Sequence, residues 1–272
     1  MSRRRTDLAK YRRGTKCYPY TPAPPLIFNN LLIYFDANKL DSVSGYYKTP
    51  PQWTNVISGG ISYNADLSGQ TIPALIENVI TQSFKFVRSP IISIAGVIGN
   101  YMSYLQPVTM LYNFTYCAWI KTVNGIGDGL DHLSLMHLIS NQTDDVTTST
   151  GFSIGIDSNG KLAYGDNNTN INEITVRSLK SVNSGLWTFI AVTRDSTDGT
   201  VSLYINGALD KAGVCNDDAL VVGTHVRIGS INRDTGKTFG GNIGAILGYS
   251  AVLTAADILN NFNAQRQVYT LQ

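Results

Sequence analysis

The stretch from Leu186 to Gly207 decides the fold. It reads Leu-Trp-Thr-Phe-Ile-Ala-Val-Thr-Arg-Asp, then Ser-Thr-Asp-Gly, then Thr-Val-Ser-Leu-Tyr-Ile-Asn-Gly. Two runs rich in β-branched and aromatic residues flank Asp198-Gly199, which is a strong signal for a hairpin between two strands. Asn206-Gly207 supplies positions that tolerate positive φ for a further reversal. The stretch therefore predicts two successive turns in an antiparallel sheet.

The two runs differ in how their apolar side chains are spaced. In the second run Val201, Leu203 and Ile205 fall on one face of a strand, which is typical of a strand with one buried face. In the first run Phe189 to Val192 is apolar on both faces, which predicts a strand in the middle of its sheet, covered on both sides. The chain is therefore expected to form a β-sandwich built outward from this hairpin.

Length and composition agree with one large all-β domain. The 272 residues include 25 glycines, 10% aromatic residues and only 15% charged residues, a profile that favours sheets and turns. We assign residues 26–272 to the sandwich and leave the register of residues 54–110 open. Further strands are predicted at 31–35, 112–121, 133–140, 151–156, 161–164, 174–179, 226–230 and 243–249, with a core strand or short buried segment at 91–98.

A single helix is predicted near the end of the sequence. Thr254 and Asp257 have the spacing of a capping box. Ile258, Leu259 and Phe262 follow at helical spacing, and we expect the helix to end near Asn263.

Residues 1–25 differ from the rest in charge and composition. The first 20 residues carry seven basic side chains and one acid, a net charge of +6, and a proline-rich segment follows them. The other fourteen basic and eighteen acidic residues leave the body at −4. This asymmetry predicts an extended basic N-terminal arm on a mildly acidic body.

Three interpretations of the arm remain open. It is a solubilising tail, or it lies along a neighbouring subunit, or it contacts nucleic acid or an anionic membrane face. For the assembly interpretation, the candidate binding residues are its basic side chains Arg3, Arg4, Arg5, Arg12, Arg13 and Lys16.

The cysteines and the apolar runs indicate which cellular compartment is expected. Cys17, Cys117 and Cys215 are odd in number and far apart, so they predict unreactive thiols in a reducing compartment rather than disulfides or a zinc site. The charged start is followed by no apolar run, so we expect no secretory signal peptide. The segment at 91–98 is too short to cross a bilayer, which needs about 20 residues.

The order of these segments resembles a known family. It is similar to the laminin G-like members of the concanavalin A-like lectin/glucanase superfamily, in the form found in tailed-phage and giant-virus structural proteins. The resemblance implies a jelly-roll pair of antiparallel sheets in which the C-terminal strand pairs near the N-terminal one. The matching pieces include Leu32–Ala37, Tyr116–Lys121, Gly151–Ile156, Trp187–Val192, Leu203–Gly207, Val226–Ser230, Phe239–Gly244, Tyr249–Thr254 and Asp257–Arg266.

The residues do not suggest catalysis. Glycosidases place two carboxylates at the bond they cut, yet Glu77 and Glu173 are the only glutamates, and neither has a carboxylate two or four positions away. The Gly-x-Ser-x-Gly spacing at Gly151–Gly155 falls within a predicted strand and not at a strand-to-helix turn, so we expect no nucleophile elbow there, and no phosphate-binding glycine loop is found. We therefore expect no enzyme and no catalytic residues.

Two kinds of ligand site stay open by resemblance. Calcium at the rim of the sandwich, a property of some laminin G-like domains, would use Asp128, Asp131 and Asp166, although no metal site or other cofactor is assigned. Glycans would need exposed aromatic rings, for which the candidates are Tyr46, Tyr47, Tyr101, Tyr104 and Tyr164.

The leading hypothesis is a non-enzymatic structural protein of a virion, such as a minor capsid, decoration or fibre-type component. Its arm would bind other capsid or virion proteins within a multi-subunit assembly. The alternative is a carbohydrate-binding adhesin module, with glycans bound at the sandwich loops. A glycoside hydrolase of the same fold is the third possibility, which the scarcity of glutamate disfavours.

Overall fold

A computed structural model describes residues 23–39, 52–57, 63–68, 74–76, 83–86, 101–125, 134–142, 151–166, 176–215, 220, 225–231 and 237–270. These residues form two antiparallel β-sheets packed face to face, with one α-helix near the C-terminus. The predicted all-β, two-sheet jelly-roll sandwich is confirmed.

The first sheet has eight strands in the described part of the chain. Its order is β14-β13-β12-β7-β16-β5-β4, and β1 also pairs with β16. The pairing of β1 with β16 confirms that the last strand lies beside the first. The strands are β1 (Leu31–Asp36), β4 (Ala74–Ile76), β5 (Ser83–Phe86), β7 (Phe114–Lys121), β12 (Thr188–Arg194), β13 (Thr200–Ile205), β14 (Ala208–Val214) and β16 (Gly241–Tyr249).

The second sheet also has eight described strands, in the order β11-β10-β9-β8-β15-β6-β3-β2. Four of them, β2, β3, β6 and β15, form one end of this sheet. The strands are β2 (Gln52–Trp53), β3 (Ala65–Ser68), β6 (Tyr101–Leu105), β8 (Met136–Ser140), β9 (Phe152–Ile156), β10 (Lys161–Asp166), β11 (Val176–Ser181) and β15 (His225–Ile228).

The quoted hairpin has the predicted structure. β12 lies between β7 and β13, so both of its neighbours are hydrogen-bonded strands. Ile190 and Val192 face the core between the sheets, whereas Phe189 and Ala191 belong to a second apolar cluster on the opposite face. The strand is apolar on both faces because both faces are covered.

The two predicted turns also form. Gly199 has a φ of +69° between β12 and β13. Asn206 and Gly207 have φ values of +52° and +81°, the combination that a two-residue type I′ hairpin requires between β13 and β14.

The helix, α1 (Ala255–Thr270), is longer than the sequence predicted. The capping box is present, because the Asp257 amide donates to Thr254 Oγ1 at 3.2 Å and the Thr254 amide donates to Asp257 Oδ2 at 3.1 Å. The expected end at Asn263 is wrong because the next turns also pack on the first sheet. Tyr269 stacks on Trp119 of β7 at 4.5 Å between ring centroids.

Some predictions fall outside the described residues. The predicted arm at residues 1–25 stays a prediction, because residues 1–22 lie outside the described residues. The apolar segment at 91–98 also lies outside them. The chain enters the described part at Ala23, and the Pro25 carbonyl accepts a hydrogen bond from Asn260 of α1 at 2.6 Å. Within the described part, no helix has both the length and the apolar character needed to cross a membrane.

Gly244 of β16 provides a test of how closely the helix packs. A Cβ at this position would lie 2.8 Å from the Tyr269 Cζ and hydroxyl oxygen and would collide with Cε1 of the same ring. We expect Gly244→Ala to lower the free energy of unfolding by about 1–3 kcal/mol, measured by urea denaturation, because overpacking displaces the ring. The same substitution should cost less in a Tyr269→Leu background, and an equal cost in both backgrounds would contradict the packing described.

Candidate binding groove

A polar groove opens on the outer face of the second sheet. Its volume is about 310 Å³, within the range of small-molecule sites. It lies where β2, β3, β6 and β15 adjoin, and its lining residues are Gln52, Asn64, Asp66, Ser103, Tyr104, Leu105 and His225. We call this set the polar groove.

The groove follows from strand register. Asp66 is paired with Gln52 on one side and with Ser103 on the other, and Ser103 is paired with Arg227 of β15. Side chains directly opposite one another on antiparallel strands project to the same face. The intervening residues of β6, Met102 and Tyr104, therefore point into the core, where they are buried.

The same row continues beyond the groove, where it is closed to solvent. Arg227 is paired with Ser140 of β8, and Ser140 with Ser153 of β9. Both serines are fully buried, and their hydroxyl oxygens are 3.0 Å apart. Among the described residues of this row, the accessible ones therefore lie at the end of the sheet that holds the groove.

The groove offers both donors and acceptors. Gln52 Nε2 donates to Asp66 Oδ1 at 2.7 Å, which leaves Asp66 Oδ2 and Gln52 Oε1 as acceptors for a ligand. Asn64 Oδ1 accepts from the Asn55 amide at 3.0 Å, so its NH₂ group is available as a donor. Leu105, 51% exposed, adds an apolar edge. This arrangement suits a ligand rich in hydroxyl groups, since each hydroxyl donates and accepts.

An aromatic residue lies beside the groove. The Arg227 guanidinium sits over the Tyr101 ring at 4.3 Å from its centroid and donates to the Ile231 carbonyl at 2.9 Å. Tyr101 is partly exposed, as a sugar-stacking residue must be. Among the described tyrosines expected to contact glycans, it is the one that is partly exposed, while Tyr46 and Tyr47 lie outside the described residues.

Two of the tyrosine predictions are wrong. Tyr104 and Tyr164 are buried in the core between the sheets and cannot stack on a sugar. The Tyr104 hydroxyl is 2.8 Å from that of Tyr116, and the Tyr164 hydroxyl donates to Asp166 Oδ2 at 2.8 Å. Each ring fills core volume while its hydroxyl is satisfied internally.

Asp166, one of the predicted calcium ligands, is paired with an arginine instead. Arg194 Nε lies 3.2 Å from Asp166 Oδ2, and the guanidinium is fully buried. This carboxylate therefore neutralises an interior cation instead of projecting into solvent. Asp128 and Asp131 lie outside the described residues, and no cluster of three potential metal ligands occurs within the described ones.

The described cysteines and histidines do not form a common site. Cys117 is buried beneath α1, and burial raises the pKa of its thiol. Burial, followed by the nearby Asp166 charge, raises the pKa of Cys215 to about 12, so its thiol is a poor nucleophile at neutral pH. His137 is buried on β8, whereas His225 begins β15 at the groove.

The proposed assembly residues are not brought into any described site. Arg3, Arg4, Arg5, Arg12, Arg13 and Lys16 all lie outside the described residues. No pattern in the sequence had marked the groove residues Gln52, Asp66 and Ser103 as a site. One local signal was available, the alternation of Tyr101, Ser103 and Leu105 with buried neighbours, which is typical of a strand with one polar face.

The Arg194–Asp166 pair gives a stability test. We expect Asp166→Ala to lower the free energy of unfolding by about 3–5 kcal/mol, because the buried guanidinium loses its carboxylate. Urea denaturation measures the change. The exposed Asp66→Ala is the matched control and should cost no more than about 0.5 kcal/mol. Similar values for the two variants would refute the structural role of the pair.

Comparison with solved structures supports the fold. The chain is similar to botulinum neurotoxin type C, which depends for entering cells upon interaction with two ganglioside molecules (TM-score 0.59, 18% identity, 86% of this chain and 51% of that chain). It is similar to the binding domain of botulinum neurotoxin DC in complex with rat synaptotagmin II (TM-score 0.55, 17% identity, covering 86% of this chain and 51% of that chain). A Trypanosoma rangeli sialidase in complex with 2,3-difluoro-KDN matches with a TM-score of 0.59, 14% identity, 94% and 37% coverage.

The chain spans about half the length of the neurotoxin chains, and at these identities the similarity concerns the fold alone. A comparison with curated proteins gives no match. The laminin G family model described as "Concanavalin A-like lectin/glucanases superfamily" matches residues 99–259, more than half of the chain. The chain therefore belongs to the concanavalin A-like lectin/glucanases superfamily.

Proposed function

We propose that the chain is a non-enzymatic, glycan-binding module that holds its ligand in the polar groove. The observation that carries the proposal is the convergence of an amide, a carboxylate and a hydroxyl from adjacent strands, at Gln52, Asp66 and Ser103, beside the partly exposed ring of Tyr101. Their open donors and acceptors match the hydroxyl groups of a sugar. Similarity to ganglioside-binding neurotoxin domains is consistent with this ligand class.

The groove chemistry favours binding over cleavage. Among the described residues that line the groove, Asp66 is the only one with a carboxylate. Hydrolysis of a glycosidic bond normally requires two carboxyl groups, about 5–9.5 Å apart, on either side of the bond. With one carboxylate, the described lining of the groove can accept hydrogen bonds from a sugar but does not include the pair that would protonate the leaving group and activate water.

Asp66→Ala tests glycan binding. The variant removes the charged acceptor, and a hydrogen bond to a charged group contributes about 1.5–3 kcal/mol, so binding should weaken about tenfold or more. Binding is measured on an array of neutral and sialylated oligosaccharides, followed by calorimetry with the best ligand. Asp198→Ala, an exposed carboxylate in the β12–β13 turn, is the matched control and should bind like the parent protein.

Two outcomes would contradict the proposal. Equal affinities for Asp66→Ala and the parent would remove the groove from the binding site. Appearance of a shortened glycan after incubation, detected by mass spectrometry, would make the protein an enzyme.

A second proposal concerns where such a module is displayed. The basic arm, at +6, precedes a body at −4, and this charge asymmetry supports anchoring of the arm on another component of an assembly. Together with the family resemblance, it supports a virion structural protein, such as a minor capsid, decoration or fibre-type component. Glycan binding and virion assembly are compatible, because the groove and the arm are separate parts of the chain.

Deletion of residues 1–22 tests the anchor. The truncation keeps Pro25, whose carbonyl contacts Asn260, so the body should fold with an unchanged melting temperature but fail to co-sediment with assembled particles. Replacing Arg3, Arg4, Arg5, Arg12 and Arg13 by lysine preserves the charge and serves as the matched control. Normal incorporation of the truncated chain would refute anchoring. Salt-sensitive DNA binding by the arm would instead indicate nucleic acid as its partner.

A further inference from the structure

A second cavity lies on the opposite side of the molecule from the groove. It has a volume of about 360 Å³, large enough for a small molecule. Its wall is formed by the segment that begins at Pro24, by the end of β1 and by α1. We call it the helix-side cavity.

A buried acid forms one wall of the helix-side cavity. Asp36 is only 7% exposed and accepts hydrogen bonds from the Tyr34 hydroxyl at 2.9 Å and from the Asn38 amide at 3.0 Å. Asn38 Nδ2 also donates to the Tyr269 hydroxyl at 3.0 Å. Burial raises the pKa of Asp36, while the hydrogen bonds from Asn38 and Tyr34 oppose that rise. The wall is thus a connected polar network within an otherwise apolar setting.

Gln265 of α1 contributes a donor with a fixed direction. Trp119 Nε1 donates to Gln265 Oε1 at 3.2 Å. An indole N–H can only donate, so this contact identifies the oxygen of the amide and leaves Nε2 as the opposite group. The side chain is 6% exposed and lines the cavity, and Nε2 has no hydrogen-bond partner. The Gln265 amide lies close enough to Tyr34 to oppose the rise in the pKa of that hydroxyl, but it makes no hydrogen bond of normal geometry there.

A buried N–H without an acceptor is unfavourable, and in native proteins such groups usually mark a bound water, ion or ligand. The Trp119 contact prevents the amide from turning over, and because Gln265 lines the cavity, an acceptor for Nε2 can reach it from there. The oxygen that accepts from Nε2 would lie near the Tyr34 hydroxyl and the Asp36 carboxylate. A hydroxyl group meets both requirements, since it accepts from the amide and donates to an acid or a phenol oxygen.

The charges around the cavity favour a neutral ligand. A cation would meet the ammonium of Lys39, which lies over the Tyr34 ring at 5.6 Å from its centroid. An anion would meet the Asp36 carboxyl. The cavity therefore already has a positive and a negative charge beside it, and Asp36 already accepts two hydrogen bonds from the protein.

We propose that the helix-side cavity binds a neutral polyhydroxylated ring, of the size of a monosaccharide or an inositol, with one hydroxyl group accepting from Gln265 Nε2 and donating to the Asp36–Tyr34 network. This site is distinct from the polar groove, because it lies on the face of the first sheet that α1 covers. It does not depend on glycan binding in the groove.

The test is a nuclear magnetic resonance titration of the full chain with glucose, galactose, N-acetylglucosamine and myo-inositol, each tested alone at up to tens of millimolar. The Trp119 indole N–H and the Gln265 side-chain amide report on the cavity, while the His225 ring reports on the groove. At least one probe should shift the Trp119 and Gln265 signals in a saturable manner and leave His225 unchanged. Absence of such shifts with all four probes would overturn the proposal.

Two variants locate the binding. Ala264→Leu projects extra volume from α1 into the cavity and should abolish the shifts, whereas Gln267→Leu, on the exposed face of the same helix, should retain them. Gln265→Glu keeps an acceptor for Trp119 but removes the donor, and it should weaken binding at least tenfold. Retention of binding in both Ala264→Leu and Gln265→Glu would overturn the assignment. Loss of groove binding alone, after Asp66→Ala, would leave these results unchanged.

Discussion

Burial of Trp119 between the first sheet and the helix is the contact on which the rest of the structure depends. Trp119 lies on β7, the strand between β12 and β16, and it is fully buried. Its ring stacks on Tyr269 at 4.5 Å and lies 5.7 Å from Phe262, and its N–H is satisfied by Gln265. The strands of a sandwich normally bury one face. Here the helix covers the second face, so β7 and β12 can carry apolar side chains on both faces.

This arrangement gives the two sheets different outer faces. The outer face of the first sheet is covered by α1, and polar groups there are enclosed with aromatic rings around Asp36 and Gln265. The outer face of the second sheet carries the polar row that opens at Asp66 and closes at Ser153. The carboxylates differ accordingly. Asp166 neutralises an interior arginine, whereas Asp66 keeps an oxygen available to solvent.

Local signals in the sequence predicted much of the fold. Three of these signals are the alternation in β13, the positive-φ pair Asn206-Gly207 and the capping box at Thr254. Each involves residues within a few positions of one another, so the local sequence is enough to predict the structure there. The length of α1 did not follow from such signals. Its second half is held by Gln265 and Tyr269, whose partner Trp119 lies about 150 residues earlier, and neither belongs to a clear apolar stripe.

The groove was beyond prediction for the same reason. Gln52, Asp66 and Ser103 lie on short strands, and only the pairing of those strands makes them neighbours. The expectation that Tyr101 and Tyr104 share a role neglected their spacing, because residues three apart in a strand point to opposite faces. Composition and family resemblance were enough to predict the architecture. The positions of the polar side chains could be known only from the register in which the strands pair.

The pairing of the first strand with the last has a consequence for biosynthesis. β1 hydrogen-bonds to β16, more than 200 residues later, and α1 covers their sheet only after that. An emerging chain can form the β12–β13–β14 meander before β16 is made, but the edges of β1 and β7 that pair with β16 stay open until then, and the ring of Trp119 stays uncovered until α1 follows. Contacts of such long sequence separation form slowly and expose apolar surface in the meantime. The nascent protein is therefore most vulnerable to aggregation just before β16 and α1 are made.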